Sequence, residues 1–473
     1  MMSQPPLYEA RVPIHPRSVA GRFRTIKTAV LFLAYGVFFL LPWLRWERES
    51  GPQQAVLFDI PGRQFYLFDL VVFAQDIFWL ASLLVIAALL LFFVTGVAGR
   101  VFCGYFCFQT LWTDVFMFIE RLIQGERPAR LRLTQQRWGA EKMIKLGVTH
   151  GLWLLVAFAT GLGFVLYWAD APTLVRDFFS GEAAKAAYMT AGILTLTTYT
   201  FAGLVREQVC TFMCPYARFQ SVMFDRDTLI VSYDAERGEG VAGRAKPSRD
   251  LRSRPDRHQA GVGDCIDCGY CVQVCPTGID IRQGLQIQCI HCALCIDACD
   301  TIMDKQGWER GLIRYTSEAH LAGGRTRFFK PKTLGYGVAI LLVVVFLVFS
   351  IATRADLDAV VNQVRQPLFV QMADGSTQNS YEISLANKTQ QSVRLELAIL
   401  DLDGAVLDLG RIGEIVLAPA QRTTVLARVR YHATPDDPAR LPMVFEIRDL
   451  EDRLQPVRVH SQLSLESITP RTQ

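Results

Sequence analysis

Five stretches of this chain run without an Asp, Glu, Lys or Arg: 28–44, 77–98, 146–169, 186–205 and 334–353. Each is about the twenty residues that a helix needs to cross a bilayer. One such run fits a core helix of a large soluble protein; five predict transmembrane helices. The apolar stretch 56–75 differs, because Asp59, Pro61, Arg63 and Asp69 interrupt it. It is expected at the membrane interface. Beyond Ala352 the hydrophobic period changes to two. Tyr381-Glu-Ile-Ser-Leu, Val393-Arg-Leu-Glu-Leu, 424–431, Val444-Phe-Glu-Ile and Val457-Arg-Val-His alternate, with Gly, Asp, Asn and Pro between them. Short strands at close spacing predict an antiparallel, immunoglobulin-like β-sandwich.

The expected order is a tail (1–27), four transmembrane helices (28–226), a mobile linker rich in Arg, Gly and Pro (227–260), a cysteine-rich domain (261–333), a fifth transmembrane helix (334–353) and the sandwich (354–473). The run 28–44 ends in Pro42-Trp43 and lacks a small-residue cleavage site, so it reads as an uncleaved helix and not a signal peptide. Basic residues alternate from one inter-helix segment to the next. The tail has five and the loop 99–145 has eight, against three in 45–76 and two in 170–185. By the positive-inside rule the N-terminus and the cysteine-rich domain are cytoplasmic and the sandwich lies outside the cytoplasmic membrane.

Composition adds little to this picture. The chain has 473 residues, 51% of them hydrophobic, and its net charge is only +4. That balance gives no case for nucleic-acid binding. No G-x-G-x-x-G follows a predicted strand, so NAD or FAD is not indicated. The twelve cysteines carry the chemistry, and none lies after Cys299.

Eight of them form two runs, Cys265-x2-Cys268-x2-Cys271-x3-Cys275-Pro276 and Cys289-x2-Cys292-x2-Cys295-x3-Cys299. This is the spacing of a ferredoxin-type domain with two [4Fe–4S] clusters, in which the fourth Cys of each run ligates the other cluster. Cys265, Cys268, Cys271 and Cys299 are expected on one cluster, and Cys289, Cys292, Cys295 and Cys275 on the other. Paired C-x2-C motifs also bind zinc, but eight Cys in this order favour iron–sulfur. Thiols this dense suit a reducing compartment, not a disulfide framework. Asp300 stands where the second run would carry Pro, so the chain is expected to leave that site differently. His291, between Cys289 and Cys292, is placed to tune a cluster by hydrogen bonding.

The other four are Cys103 and Cys107, beyond the second helix, and Cys210 and Cys214, beyond the fourth. The i, i+4 spacing puts each pair on one helix face, and the two segments look like a duplicated unit at the cytoplasmic membrane edge. Small Cys also pack well between helices. Soft thiolates select Cu(I), Zn or iron–sulfur iron, with Met213 available as a thioether. A dithiol–disulfide switch stays open. His150 has no second intramembrane His facing it, so a bis-His haem is not indicated.

Together, Arg100-Val-Phe-Cys-Gly-Tyr-Phe-Cys107, Cys210-Thr-Phe-Met-Cys-Pro-Tyr216, Met223-Phe-Asp-Arg-Asp-Thr-Leu-Ile-Val-Ser-Tyr233, the 264–280 motif and Gly311-Leu-Ile-Arg-Tyr315 closely resemble the cytochrome c oxidase accessory family known as CcoG, FixG or RdxA. The resemblance covers nearly the whole chain. It implies an inner-membrane iron–sulfur oxidoreductase, a cupric reductase that makes Cu(I) during maturation of cbb-type cytochrome c oxidase. Its membrane-edge C-x3-C-P motifs are implicated in that step, which makes Cys103, Cys107, Cys210 and Cys214 the catalytic and copper candidates. Pro215 completes the second motif; Phe108 replaces Pro in the first. The implied partners are the oxidase assembly machinery, copper carriers and a cytoplasmic electron donor of unknown identity, with a homodimer allowed. The alternatives are a membrane ferredoxin serving another respiratory enzyme and a non-redox assembly scaffold or cluster-based sensor.

Overall fold

In a computed structural model, helix α1 (Arg22–Leu40) and helix α2 (Ile77–Ala98) carry the first two apolar runs. The structure describes residues 14–48, 51–73, 76–248, 250–251, 253–389, 391–410, 414–434 and 437–465. Among them, five helical segments are long and apolar enough to cross a membrane: Arg22–Trp43, Ile77–Ala98, Val101–Gln124, Ala140–Val165 and Pro331–Ala352. The chain is a multi-pass membrane protein. It forms two compact units. One combines the chain up to Trp43 with the part from α2 to Leu347, and the other combines Leu44 to the loop before α2 with the part from Val348 onward.

The middle of this series departs from the hydropathy reading. The segment 99–145, expected as a basic loop, contains α3 (Val101–Tyr105), α4 (Phe108–Gln124) and α5 (Arg127–Gln135). Within the apolar window of Val101–Gln124, 56% is buried in the protein, against 6% for Ile77–Ala98 and Pro331–Ala352. Hydropathy missed it because its charges are paired inside. Asp114 meets Arg24 at 2.9 Å and Lys27 at 3.5 Å, and Glu120 meets Arg130 at 3.1 Å and Arg206. A buried carboxylate needs such partners, or its desolvation goes unbalanced. Helix α6 (Ala140–Val165) packs on α4, with the Trp112 indole donating to Thr160 at 2.7 Å. The run 186–205 is not one α-helix either. After α7 (Ala171–Ser180), α8 (Lys185–Thr198) gives way to π-helical turns at Tyr199–Val205 and Val209–Met213, then to α9 (Pro215–Met223).

The stretch 227–260, expected as a mobile linker, is built into the cysteine-rich domain. Strand Ile230–Tyr233 pairs antiparallel with Ile313–Thr316. Helix Arg254–Gln259 opens on a capping box between Ser253 and Asp256, which satisfies backbone donors at the helix start. Arg257 is fully buried and donates to the carbonyls of Ala245, Gly263 and Cys265. A charge that deep is held because most of its donors are met; only its Nη1 has no partner among the described residues.

The N-terminal tail, from Ile14 on, lies against the same domain. The Arg17 amide donates to Gln273 at 2.8 Å, and the Tyr270 hydroxyl to Ser18 at 3.0 Å. Asp297, from helix Leu294–Gln306, accepts from the Phe23 and Arg24 amides at 3.2 and 2.7 Å. A carboxylate of the cysteine-rich domain therefore caps the first membrane helix, whose leading N–H groups have no partner of their own.

In the other unit, one sheet orders Val406–Asp408, Arg422–Tyr431, Thr377–Asn387 and Leu357–Gln363; the second orders Ile415–Leu417, Val393–Leu400, Arg440–Asp449 and Val457–Ser464. Alternate residues Tyr381, Ile383 and Leu385 face Leu395, Phe445 and Ile447 in one buried core. Within the stretch 56–75, residues 56–73 form a three-stranded meander (Val56–Asp59, Gln64–Leu67, Leu70–Phe73) in this unit, not a lone interfacial segment; the last two residues lie outside the described ones. Ala420 packs against its Leu57, Tyr66, Val71 and Phe73.

Candidate redox site

The two cysteine runs build twin loops. Asp267 and His291 each stand just before the second Cys of their run, and both are left-handed, with φ 49° and 51°. Gly269 and Ala293 each follow that Cys, again left-handed, at 64° and 61°. Alternating hands turn successive backbone N–H groups toward one centre, a geometry shared by many iron–sulfur sites. A short helix then carries the third Cys of each run. The first, Tyr270–Gln273, ends before Pro276. The second, Leu294–Gln306, runs on through Cys299, which is why Asp300 replaces Pro there; Asp300 instead accepts from the Gly311 amide at 3.1 Å.

Each loop closes over its own cavity. Cys265, Cys268, Cys271 and Cys299 line one, and Cys275, Cys289, Cys292 and Cys295 the other, with Cys271 also at the edge of the second. The fourth Cys of each run thus sits with the first three of the other. Neither cavity is lined by a carboxylate or an imidazole. Burial pushes the Cys271 and Cys289 thiols up to about 12. Such thiols shed their protons only to a strong cation, and eight soft donors in two closed sets of four fit two [4Fe–4S] clusters.

Asp264, just before Cys265, is fully buried. Burial works against its charge, yet hydrogen bonds from Arg254, Arg237 and His258 hold it at about 2. Sequence reasoning missed this hub; the signal was the density of basic residues between 237 and 258. His291 accepts at Nδ1 from the Arg100 amide at 3.0 Å. Burial, then Arg100, lowers it to about 4, so it is neutral. Its Nε2 is buried with no partner among the described residues.

The membrane-edge pairs do not share helix faces as their spacing suggested. Cys103 lies in α3, but Cys107 is the extended residue that begins α4, at φ −63° and ψ 126°. Cys210 lies in a π-helical turn, and Cys214 is the extended residue that begins α9, at φ −78° and ψ 110°. Each pair straddles a break, so the duplication is of a broken helix. Pro215 and Phe108 both fill the first helical position, where Pro is favoured but not required. The four thiols lie within electrostatic range of one another. Among the described residues no three His, Cys, Asp or Glu close on a single ion. Met213 is exposed on the same turn as Cys210.

One cysteine of each pair, Cys103 and Cys210, lies among residues that line the second cavity. Cys103 packs with Ile290, Cys292 and Leu294, and its thiol reaches Gln220 at 3.3 Å. Gly104 is required here: a Cβ would stand 2.8 Å from the Ile290 carbonyl oxygen and 2.9 Å from the Cys292 Cα. The Tyr105 hydroxyl donates to the Cys292 carbonyl at 3.1 Å. Cys210 shares a cavity with Pro276, Thr277 and Ile290, and the Thr277 hydroxyl is 3.3 Å from the Cys275 sulfur.

Comparison with known proteins agrees with this architecture. Residues 205–318 match a 4Fe-4S dicluster domain, and 347–464 match the IG-like fold at the C-terminus of the FixG oxidoreductase. The chain is 44% identical over 404 residues to Protein RdxA of Cereibacter sphaeroides, covering 83% of each chain. It is 41% identical over 428 residues to Protein RdxB of that organism, covering 88% of each. Against the nitrogen fixation protein FixG of Rhizobium meliloti it is 40% identical over 455 residues, 89% of this chain and 84% of that one. With the α3 cysteine packed on a dicluster domain and an IG-like domain following the last span in the chain, the chain belongs to the FixG/RdxA family of membrane iron–sulfur proteins.

Proposed function

We propose that this protein reduces Cu(II) to Cu(I) at the membrane edge for maturation of a cbb-type cytochrome c oxidase. The observation that carries the reading is the packing of Cys103, Gly104 and Tyr105 onto the 289–292 loop. It sets Cys103 beside one cavity of four cysteines, with Cys107, Cys210 and Cys214 in electrostatic range of it. We assign Cys265, Cys268, Cys271 and Cys299 to the outer cluster, and Cys275, Cys289, Cys292 and Cys295 to the inner one. When bound, each cluster supplies a one-electron carrier. Copper is substrate here, and the thiols of Cys103, Cys107, Cys210 and Cys214 receive it. Soft sulfur binds Cu(I) more tightly than Cu(II), so the thiols raise the copper potential. Every tenfold of that preference is about 59 mV in a one-electron couple. The approach of the two broken helices, not a preformed cage, suits an ion that must leave again. By the distribution of Lys and Arg, the cluster domain faces the cytoplasm of a bacterial inner membrane and the IG-like domain the periplasm.

The test replaces Cys210 and Cys214, then all four edge Cys, with Ser in cluster-loaded protein prereduced with dithionite. Cluster content should be unchanged and Cu(II)-driven reoxidation abolished. Reoxidation at the parent rate in the fourfold variant would return the protein to the role of a membrane ferredoxin serving another acceptor.

A further inference from the structure

The family reading leaves unused a cavity of about 340 Å³ among α4, α6 and the π-helical turns. Its volume falls in the range of small-molecule sites. His15, Glu120, Lys142, His150, Arg206 and Glu207 supply its titratable lining, with Leu146 and Leu204 among its apolar walls. His150 stands inside the uncharged run 146–169, so the cavity lies where spanning segments meet the polar edge.

The charges of this lining are largely spent. Glu120 accepts from both Arg206 and Arg130 at 3.1 Å. Lys142 donates to the carbonyls of Thr134 and Gln136 at 3.0 and 2.8 Å. The two lining carboxylates and two lining cations balance, so a phosphate or an anionic headgroup finds no committed excess of positive charge. The imidazoles remain. The His15 Nδ1 is buried without a partner among the described residues. Burial, then the Arg130 guanidinium, holds His15 below its ordinary range, so it is free of its proton at neutral pH. His150 meets the Tyr199 hydroxyl through Nδ1 at 2.9 Å. A neutral ligand with two hydroxyls, half apolar and supplied from the membrane, satisfies such a lining.

The cavity also shares a wall with one that borders the cysteine-rich domain. Arg206 and Glu207 line both it and the neighbouring cavity that holds Cys210, Pro276 and Thr277. The segment between them is π-helical, a distortion that gathers at functional sites.

We propose that this cavity is a quinol site and that a membrane quinol is the electron donor to the clusters. The quinol breaks its two O–H bonds and becomes the quinone. Its two protons pass to the imidazoles of His15 and His150, and its two electrons reduce two [4Fe–4S] clusters by one each. The stoichiometry balances without another reactant. The inference rests on the two clusters and does not require copper.

The test adds a short-chain ubiquinol or menaquinol analogue to cluster-loaded protein without oxygen or copper, and follows bleaching of the cluster absorbance and the paramagnetic signal. The parent should be reduced. His150→Ala should slow that step at least tenfold while dithionite still reduces both clusters fully, and His15→Ala should slow it less. Quenching of tryptophan fluorescence by the oxidised analogue should weaken in parallel. A parent protein that dithionite reduces but quinol does not would overturn the proposal, as would a His150→Ala protein reduced at the parent rate. Failure of copper reduction in dithionite-treated protein bears only on the copper reading.

Discussion

Tyr233 lines the cavity of Cys265, Cys268, Cys271 and Cys299, is only 7% exposed, and holds its hydroxyl buried without a partner among the described residues. A phenol donor facing cluster sulfur favours the more negative, reduced state. Tyr233→Phe should lower the potential of that cluster alone. If the bond strengthens by about 1 kcal/mol on reduction, the fall is about 40 mV in a one-electron couple, read by redox titration of the paramagnetic signal. Asp264 permits a pH prediction. Its folded-state value, about 2, lies below the ordinary 3.8. Its contribution is complete above about pH 4 and is lost as pH falls toward 2. Asp264→Asn removes it at every pH and leaves Arg237 and Arg254 without their carboxylate, a cost of about 3 kcal/mol for a buried pair. Denaturation followed by cluster colour should show the gap at pH 7 and its closure in acid. The gathering of eight cysteines into two sets of four was legible from their spacing. Asp264 was not, since one carboxylate shared by three distant bases leaves no periodic mark.

Among elements, the apolar helices were read from composition and the irregular ones were not. Helix α4 hides its Asp114 and Glu120 in ion pairs with other segments, so its own letters look like a loop. The pairing of 186–205 with a π-helical end has no hydropathy signature. The breaks that carry the thiols do make a prediction. Gly104→Ala puts a methyl against backbone atoms of the 289–292 loop, which side-chain motion cannot relieve. Electron transfer from clusters to copper should slow at least tenfold, with cluster content retained; stopped-flow reoxidation by Cu(II) measures it. Pro215→Ala should change stability by well under 1 kcal/mol, because Phe108 fills the same position in the twin segment.

At the scale of the molecule, chain order and spatial order diverge. The meander at 56–73 joins a sandwich that begins nearly 300 residues later, and three four-residue strands are too short to announce that from sequence. Both parts should lie on one side of the membrane. A reporter at Gly240 should be active in the cytoplasm and one after Ser350 in the periplasm; the reverse pattern would move the clusters to the wrong compartment. The cap that Asp297 places on α1 sets a timetable for biogenesis. The first membrane helix leaves the ribosome some 270 residues ahead of the carboxylate that completes its start. Until that carboxylate arrives, between the last two cysteines of the second run, the helix keeps open donors at the bilayer surface. Anchor and cofactor domain therefore finish together.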